Sequence, residues 1–284
     1  MGKFCISLGL MVQCDRMMLS HLRQCLVISV CLSLVATVGS ALGEDEVLSR
    51  LRIDFESVDE GAARKLLSHA RISLAVGEGP DGSDAIRVDY VACPRGSERV
   101  VASFPLGQGM KEATLLFDVK FGEDFQWTKG GKLHGLGPKK PITGGAKRLP
   151  EGWSARIMWR EEGKVQNYLY DQDQSKTYGI GERTKKGVFM PGKWHRVVIE
   201  VKLNEPGKKN GFTKTRIDGK EVAKTEGVEF RGEGGDETGI QLFMFSTFHG
   251  GHSTEYSPVD SKGKFTTVHA WFDNFEVVEG LRDK

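Results

Sequence analysis

Two short segments of the chain carry polar residues at alternate positions. Ser154 and Arg156 are two residues apart in the first segment, and Tyr168 and Tyr170 are two apart in the second. Successive side chains of a β-strand point to opposite faces, so each pair would lie on one face of its strand. Together the pairs offer hydrogen-bond donors, one fixed positive charge and two phenols capable of proton transfer.

The residues between the two segments are typical of a hairpin. Positions 161–164 read Glu-Glu-Gly-Lys, which predicts a turn joining two antiparallel strands. Antiparallel partners keep a constant index sum, so pairing of Arg156 with Tyr168 would place Ser154 opposite Tyr170. All four side chains would then share one sheet face. The alternative, ordinary strand tyrosines with a surface arginine, is left open by the spacing alone.

This set of side chains suits β-elimination at a uronic acid. The reaction removes the C5 proton beside the sugar carboxylate, and the glycosidic oxygen at C4 then receives a proton. Arg156 would pair with the carboxylate through two N–H groups, and Ser154 would orient it. Either tyrosine could serve as base, acid or both. Hydrolysis would instead need two facing carboxylates, and the predicted face carries none.

Seven motifs follow one another in a fixed order around these segments. They are GGKLHGL (130–136), WSARIMWR (153–160), YLYD (168–171), GKW (192–194), LNEPGKKNG (203–211), FSTFHGG (245–251) and WFDNFEV (271–277). In this order they resemble family 14 of the polysaccharide lyases, over about residues 114–278. The resemblance implies a β-jelly-roll fold and cleavage of alginate or a related uronate polymer.

The resemblance also implies catalytic roles for five residues. The family's lysine falls on Lys132, its Ser-x-Arg pair on Ser154 and Arg156, and its Tyr-x-Tyr pair on Tyr168 and Tyr170. Lys132 would add positive charge, stabilise the enolate or, with a depressed pKa, act as the base. Only the resemblance connects Lys132 with the other four, because nothing in the spacing brings it near them.

Four further residues are candidates for substrate binding: His134, His249, Lys139 and Arg160. The two histidines depart from the family pattern, which often has proline and an aromatic residue at these positions. An ordinary loop histidine is the alternative for each. Lys139 belongs to a basic loop over residues 135–149, predicted to be mobile, that would attract a polyanion or simply be solvated. Arg160 shares the strand face of Arg156.

The rest of the chain predicts an all-β protein. Glycine accounts for 36 of the 284 residues, and apolar alternation is broken by turn residues about every ten positions, as in a concanavalin-like jelly-roll β-sandwich. Strands are predicted over residues 85–91, 112–121, 194–203, 240–248 and 269–278. We expect one lyase domain over 76–280. Residues 42–75 would lead into it, with a short helix or loop over 59–69.

The N-terminus predicts export. Arg16 and Arg23 precede a compact apolar run over residues 25–38 and small residues, which together are typical of a signal peptide over 1–41. The alternative is an uncleaved anchor, although the run is short for a membrane span. We expect a secreted or periplasmic protein that is free of the membrane once the signal is removed. Cleavage would leave Cys93 as the one cysteine, without a disulfide.

Composition and motifs indicate which kinds of ligand and partner the protein binds. The net charge of +2 comes without a basic run interleaved with aromatics, so we expect no nucleic-acid partner. Zinc spacings, phosphate loops and dinucleotide motifs are absent from the sequence, which predicts no cofactor and no metal. A structural calcium on Asp81, Asp84 and Asp273 is a weaker alternative. We expect a monomer acting on an acidic polysaccharide, or alternatively a non-catalytic carbohydrate-binding domain of the same fold.

Overall fold

The computed structural model describes residues 49–58 and 61–282. The predicted signal peptide, residues 1–41, lies outside these ranges. The described elements are β1 (Ser49–Ile53), α1 (Gly61–Leu67), β2 (Ile72–Ala75), β3 (Ala85–Cys93), β4 (Gly96–Ser97), β5 (Val100–Met110), β6 (Glu112–Phe121), β7 (Gly131–Gly137), β8 (Ser154–Trp159), β9 (Val165–Tyr170), β10 (Trp194–Lys202), β11 (Gly211–Ile217), β12 (Lys220–Val228), β13 (Ile240–His249) and β14 (Thr267–Glu279).

The strands form two antiparallel sheets. The larger sheet has the order β12-β11-β10-β6-β14-β3-β2, with β1 added to β14 and β4 to β3, and the smaller sheet has the order β5-β13-β7-β8-β9. This arrangement confirms the predicted single-domain jelly-roll sandwich. Strands β1 and β2 pair within the larger sheet, so residues 49–53 and 72–75 are part of the sandwich.

The core lies between the two sheets. Strand β6 directs Leu115, Phe117 and Val119 inward, and all three are fully buried. The Phe117 ring packs 5.9 Å from that of Phe275 on the larger sheet, which in turn lies 5.6 Å from Phe243 on the smaller sheet. Burial of each such side chain contributes about 1.5–3 kcal/mol. The inner faces are thus committed to packing, and the outer faces remain available for binding.

All five predicted strands are present, with ends that differ by two residues at most, and α1 occupies the segment expected to be a helix or loop. Strands such as β12 were not predicted from the alternation. β12 lies at an edge of the larger sheet, and most of its side chains are exposed or half-exposed. An edge strand buries little apolar surface, so its sequence carries a weak periodic signal.

The β8–β9 hairpin has the predicted register. Ser154 pairs with Tyr170 and Arg156 with Tyr168. In the connecting turn, Glu162 and Gly163 both have positive φ, of 62° and 70°, which is the backbone twist that favours tight hairpins. The hairpin therefore aligns the four residues as the sequence predicts.

Candidate active site

A cleft of about 570 Å³ opens on the outer face of the smaller sheet. Strands β7, β8, β9 and β13 form its floor, and loop residues 143–144, 178–179 and 250–256 form its walls. The strand side chains that line it are Lys132, Arg156, Met158, Tyr168 and Phe248. The cleft thus contains three of the five residues implied by the family resemblance.

Lys132 reaches the hairpin residues through strand pairing. Strand β7 lies beside β8 with Lys132 opposite Met158, and Lys132 Nζ lies 4.6 Å from the centre of the Tyr168 ring. Burial, together with the positive charges of Arg156, Arg160 and Arg99, lowers the pKa of Lys132 to about 7. A substantial fraction of Lys132 is therefore neutral at physiological pH, as a proton acceptor must be.

Arg156 is buried and has no counter-ion among the described residues. Its side chain is almost inaccessible, its guanidinium carbon lies 5.6 Å from the Tyr168 ring centre, and its Nε has no hydrogen-bond partner in the part of the chain that the structure describes. A buried charge without a partner costs several kcal/mol. An anionic ligand in the cleft would supply the missing partner, because guanidinium binds carboxylate through paired hydrogen bonds.

The two tyrosines lie at different depths. Their hydroxyl oxygens are 3.5 Å apart, and only Tyr168 lines the cleft. Burial and the hydrogen bond with Tyr170 raise the pKa of Tyr168 far above its ordinary value, so its phenol is protonated at neutral pH. Tyr170 is fully buried; its hydroxyl accepts a hydrogen bond from Gly145 N–H at 2.9 Å, and its ring faces the Arg148 guanidinium.

Ser154 lies beside Tyr170, beneath the loop that follows β7. Its hydroxyl is buried and donates to the Ile142 carbonyl at 2.7 Å. The structure therefore brings Lys132, Arg156 and Tyr168 together at the cleft surface. It places Ser154 and Tyr170 behind them, where they contact the covering loop.

The expectation that His134 binds substrate is contradicted by its position. Between β7 and β8, Lys132 pairs with Met158 and Gly135 with Arg156, so β7 contains one extra residue. This β-bulge shifts the alternation, and His134 points into the core, with its ring 4.3 Å from that of Phe245. Burial holds the pKa of His134 well below its usual value. His134 is a neutral core residue.

His249 is likewise a core residue and not a cleft residue. Phe248 faces the cleft, so the next side chain on β13 points inward. The His249 ring packs 5.1 Å from Phe125 and 5.2 Å from Trp159, and Nε2 lies 2.7 Å from the Gln126 carbonyl oxygen. Burial lowers the pKa of His249 to about 4. The predicted contact with sugar is therefore wrong for this histidine.

The cations of the basic loop, residues 135–149, lie in different environments. Lys139 lies outside the cleft, in a small surface depression that contains three glutamates, Glu151, Glu233 and Glu237, so its predicted contact with substrate is not supported. Arg148 is buried and donates to the carbonyls of Thr177 and Tyr178 at 3.3 and 3.4 Å. Arg148, which belongs to the basic loop over residues 135–149, thus anchors that loop.

Arg160 lines the cleft, and its contact with substrate stays a prediction. Its Nε donates to Gln166 Oε1 at 2.7 Å and its Nη1 to the Lys129 carbonyl at 3.3 Å. These two hydrogen bonds fix the guanidinium at the cleft.

Several cleft residues were missed by the sequence analysis. They are Arg99, whose guanidinium lies over the Phe248 ring, the ion pair of Lys129 with Glu255, and the ring contact of Tyr178 with His252. All come from loops or strand ends, where side-chain direction does not follow strand alternation. No periodic signal could have identified them.

The described residues contain no group of three or more His, Cys, Asp or Glu side chains arranged to hold a metal ion. Asp273, considered above for calcium, instead accepts a hydrogen bond from Ser83 Oγ at 2.9 Å. Within the same residues, Cys93 is a free thiol and no helix has the length and apolar character needed to cross a membrane.

Three solved polysaccharide lyases are similar in structure to this chain. A double mutant of alginate lyase Aly36B, solved with alginate tetrasaccharide, has a TM-score of 0.65 and 20% identity, covering 82% of this chain and 98% of that chain. The marine PL-14 alginate lyase from Aplysia kurodai has a TM-score of 0.64 and 21% identity, with coverage of 82% and 99%. The endo-β-1,4-glucuronan lyase from the fungus Trichoderma reesei has a TM-score of 0.55 and 16% identity, with coverage of 82% and 96%.

At these identities the structural likeness establishes the fold alone. A sequence comparison with curated proteins returned no match. The model of the polysaccharide lyase 14 family, however, matches residues 95–275. Because this match spans well over half of the sequence, the chain belongs to polysaccharide lyase family 14 and is a polysaccharide lyase.

Proposed function

We propose that this lyase cleaves alginate, or a closely related uronate polymer, by β-elimination. The observation that carries the proposal is the buried guanidinium of Arg156, which finds no counter-ion in the part of the chain that the structure describes and lies beside Lys132 and Tyr168. Every residue of a polyuronate presents a carboxylate next to the C5 proton. The alginate and glucuronan lyases with the same fold support this class of substrate.

In the proposed mechanism Arg156 pairs with the carboxylate of the sugar to be cleaved and stabilises the enolate. Neutral Lys132 accepts the C5 proton. The electron pair of that C–H bond forms the C4–C5 double bond as the C4–O4 bond breaks. Tyr168 donates its phenolic proton to the leaving O4, and exchange with solvent restores both groups.

Ser154 and Tyr170 act as positioning residues in this proposal. Ser154 holds the covering loop through the Ile142 carbonyl, and Tyr170 supports the Tyr168 hydroxyl from behind. Arg160, with Arg99 at the same cleft, binds carboxylates of neighbouring sugars. The protein would meet its polymer outside the cytoplasm, as a monomer, after removal of the signal peptide.

The alternative function, non-catalytic carbohydrate binding, has less support than catalysis. A binding domain has no need of a lysine with a lowered pKa beside a protonated tyrosine. Membership of a lyase family also favours the enzyme.

The direct test is incubation with alginate, with glucuronan and with a neutral glucan while ultraviolet absorbance is recorded. Elimination creates a double bond conjugated with the carboxylate, whereas hydrolysis does not. We expect absorbance to rise with alginate or glucuronan and to stay flat with the neutral glucan. Retained binding of every uronate polymer without an absorbance gain would instead support the binding-domain alternative.

A further inference from the structure

Aromatic and cationic side chains alternate in a row on the outer face of the larger sheet. Strand register places Trp194 of β10 beside Lys120 of β6, Lys120 beside Trp271 of β14, and Trp271 beside Arg87 of β3. All four side chains are partly exposed. The row, defined by these four residues, crosses neighbouring strands on the side of the sandwich away from the cleft.

The centre of the row is a lysine held between two indoles. Lys120 Nζ lies 5.2 Å from the centre of the Trp194 ring and 4.8 Å from that of Trp271, and it donates to the Glu78 carbonyl at 3.3 Å. Cation–π attraction on both sides restricts the ammonium group. Because the cation is already ordered, binding of an anion costs less conformational entropy.

Lys120 differs from other cations on this sheet in its partners. Arg196, Lys202 and Lys214 each form an ion pair with a carboxylate, at distances from 2.9 to 3.1 Å. Within the described residues, Lys120 contacts two rings and a backbone carbonyl but no carboxylate. None of these residues neutralises its charge, which remains available to an anionic ligand.

At the end of the row, Arg87 is partly neutralised. Its Nε lies 3.3 Å from Asp89 Oδ1, and 42% of its side chain is exposed. His269 Nδ1 contacts the same carboxylate at 2.9 Å. The exposed guanidinium of Arg87 should therefore bind an anion more weakly than Lys120 does.

We propose that the row is a second, non-catalytic binding site for an acidic polysaccharide. The apolar faces of pyranose rings would pack on Trp194 and Trp271, and carboxylates would pair with Lys120 and Arg87. Neighbouring strands are about 4.8 Å apart, so like groups recur roughly every 10 Å along the row. This distance is comparable with two linked pyranose rings. The substrate class, a uronate polymer, rests on the proposed function.

The position of the row suggests what it contributes. The cleft lies on the smaller sheet and the row on the larger sheet, so polymer bound at one does not block the other. A second contact keeps the enzyme on the polymer and raises the local concentration of cleavable bonds. The benefit applies to long chains and not to oligosaccharides that reach only the cleft.

The test is native gel electrophoresis through alginate, glucuronan or neutral glucan, using the Arg156→Ala background so that the polymer stays intact. Adding Trp194→Ala and Trp271→Ala together should weaken retardation by the uronate gels about tenfold in apparent affinity, because two aromatic contacts are lost. Lys120→Gln should also reduce retardation by the acidic polymers. The neutral gel should retard none of these proteins.

Phe212→Ala is the matched control, because Lys224 lies over the Phe212 ring elsewhere on the same sheet. It should leave retardation unchanged, and circular dichroism should confirm that all variants are folded. Equal retardation of the parent, the double tryptophan variant and Lys120→Gln would overturn the proposal. So would complete absence of retardation in the parent.

A second readout separates this site from the cleft. With Arg156 restored, the double tryptophan variant should retain its kcat/KM on a tetrasaccharide and lose activity only on dilute polymer. If the protein released no unsaturated product but was still retarded through the row, the proposed function would fail and the binding site would stand. Equal losses on the tetrasaccharide and the polymer would refute a site separate from the cleft.

Discussion

Lys132 and Arg156 are neighbouring cations in a partly buried cleft, and each influences what the other can do. The positive charge of Arg156 helps burial to lower the pKa of Lys132. Arg156 itself remains charged, because guanidinium does not lose its proton in proteins. Placing these two basic groups side by side is unfavourable in the free protein and becomes favourable when a carboxylate binds. The two side chains also have different roles: Arg156 stays charged, whereas Lys132 can become neutral.

The first prediction concerns pH. With Lys132 as base and a pKa of about 7, kcat/KM should rise with pH and level off above that value, since the neutral amine is the active form. Lys132→Arg should abolish turnover, because arginine stays protonated. Initial rates across pH 5.5–9 test this. A fall in kcat/KM above pH 7, with activity retained in Lys132→Arg, would show that Lys132 only neutralises charge.

The second prediction concerns Arg156. Arg156→Ala should reduce kcat/KM by about 10²–10³-fold or more, as expected when a preorganised group facing the developing charge is lost. Circular dichroism should show an unchanged fold. Lys139→Ala, which changes a lysine outside the cleft, should retain the parent rate in the same absorbance assay. Near-normal activity of Arg156→Ala would disprove its pairing with the carboxylate.

The third prediction concerns stability and His249. Its folded pKa of about 4 is below its ordinary value of 6.5, so between these values the unfolded state binds more protons. The contribution of His249 to the free energy of unfolding should therefore be fully present above about pH 6.5. It should fall by about 3 kcal/mol as the pH drops towards 4. Urea unfolding of His249→Phe should show a weaker pH dependence over that window. Parallel curves for the two proteins would contradict this.

At the scale of elements, the site depends on one hairpin and one bulge. The β8–β9 register follows from a local turn, so the sequence could predict the Ser154–Tyr170 and Arg156–Tyr168 pairs. The bulge in β7 was not predictable, because a bulge depends on how two strands fit together and not on composition. Strict alternation would place His134 on the face of Lys132, whereas the bulge turns it into the core.

The fourth prediction tests the fit of β7 against β8. A Cβ at Gly135 would overlap the Ala155 carbonyl oxygen and lie 2.6 Å from Arg156 Cα. Gly135→Ala should therefore force the strands apart, displace Arg156, reduce activity and lower the free energy of unfolding by about 1–3 kcal/mol. At Gly234 a Cβ would meet only Pro206 Cγ, at 3.3 Å. Gly234→Ala is the control and should leave both the urea midpoint and the lyase rate unchanged.

At the scale of the whole molecule, a small net charge conceals an uneven distribution. The chain carries 40 basic and 38 acidic residues, yet the cleft contains five basic side chains and one carboxylate: Arg99, Lys129, Lys132, Arg156, Arg160 and Glu255. Glu255 is already paired with Lys129. The cleft is therefore a local positive field that attracts a polyanion.

The fifth prediction follows from this field. KM for the polymer should rise as salt is increased from about 0.05 to about 0.5 M, because the Debye length shortens to a few ångströms. Arg99→Gln should raise KM and leave kcat nearly unchanged, since Arg99 contributes binding remote from the reacting bond. Lys140→Gln, outside the cleft, is the control. A salt-independent KM would argue against electrostatic capture of the substrate.

The sequence by itself determined the all-β class, the family and the shared face of four residues. These properties depend on strand alternation, turn composition and motif order, which are local or nearly local along the chain. The same reasoning placed strands β3, β6, β10, β13 and β14 and the β8–β9 hairpin. It did not find the edge strands β5 and β12.

Only the tertiary structure decided which residues meet. It brought Lys132 beside Tyr168 through the pairing of β7 with β8, and it placed His134 and His249 in the core and Ser154 and Tyr170 beneath a loop. It also aligned Trp194, Lys120 and Trp271 from strands distant in sequence. Burial, and the pKa values that burial changes, depend on packing across the whole fold, so no spacing within one segment contains that information.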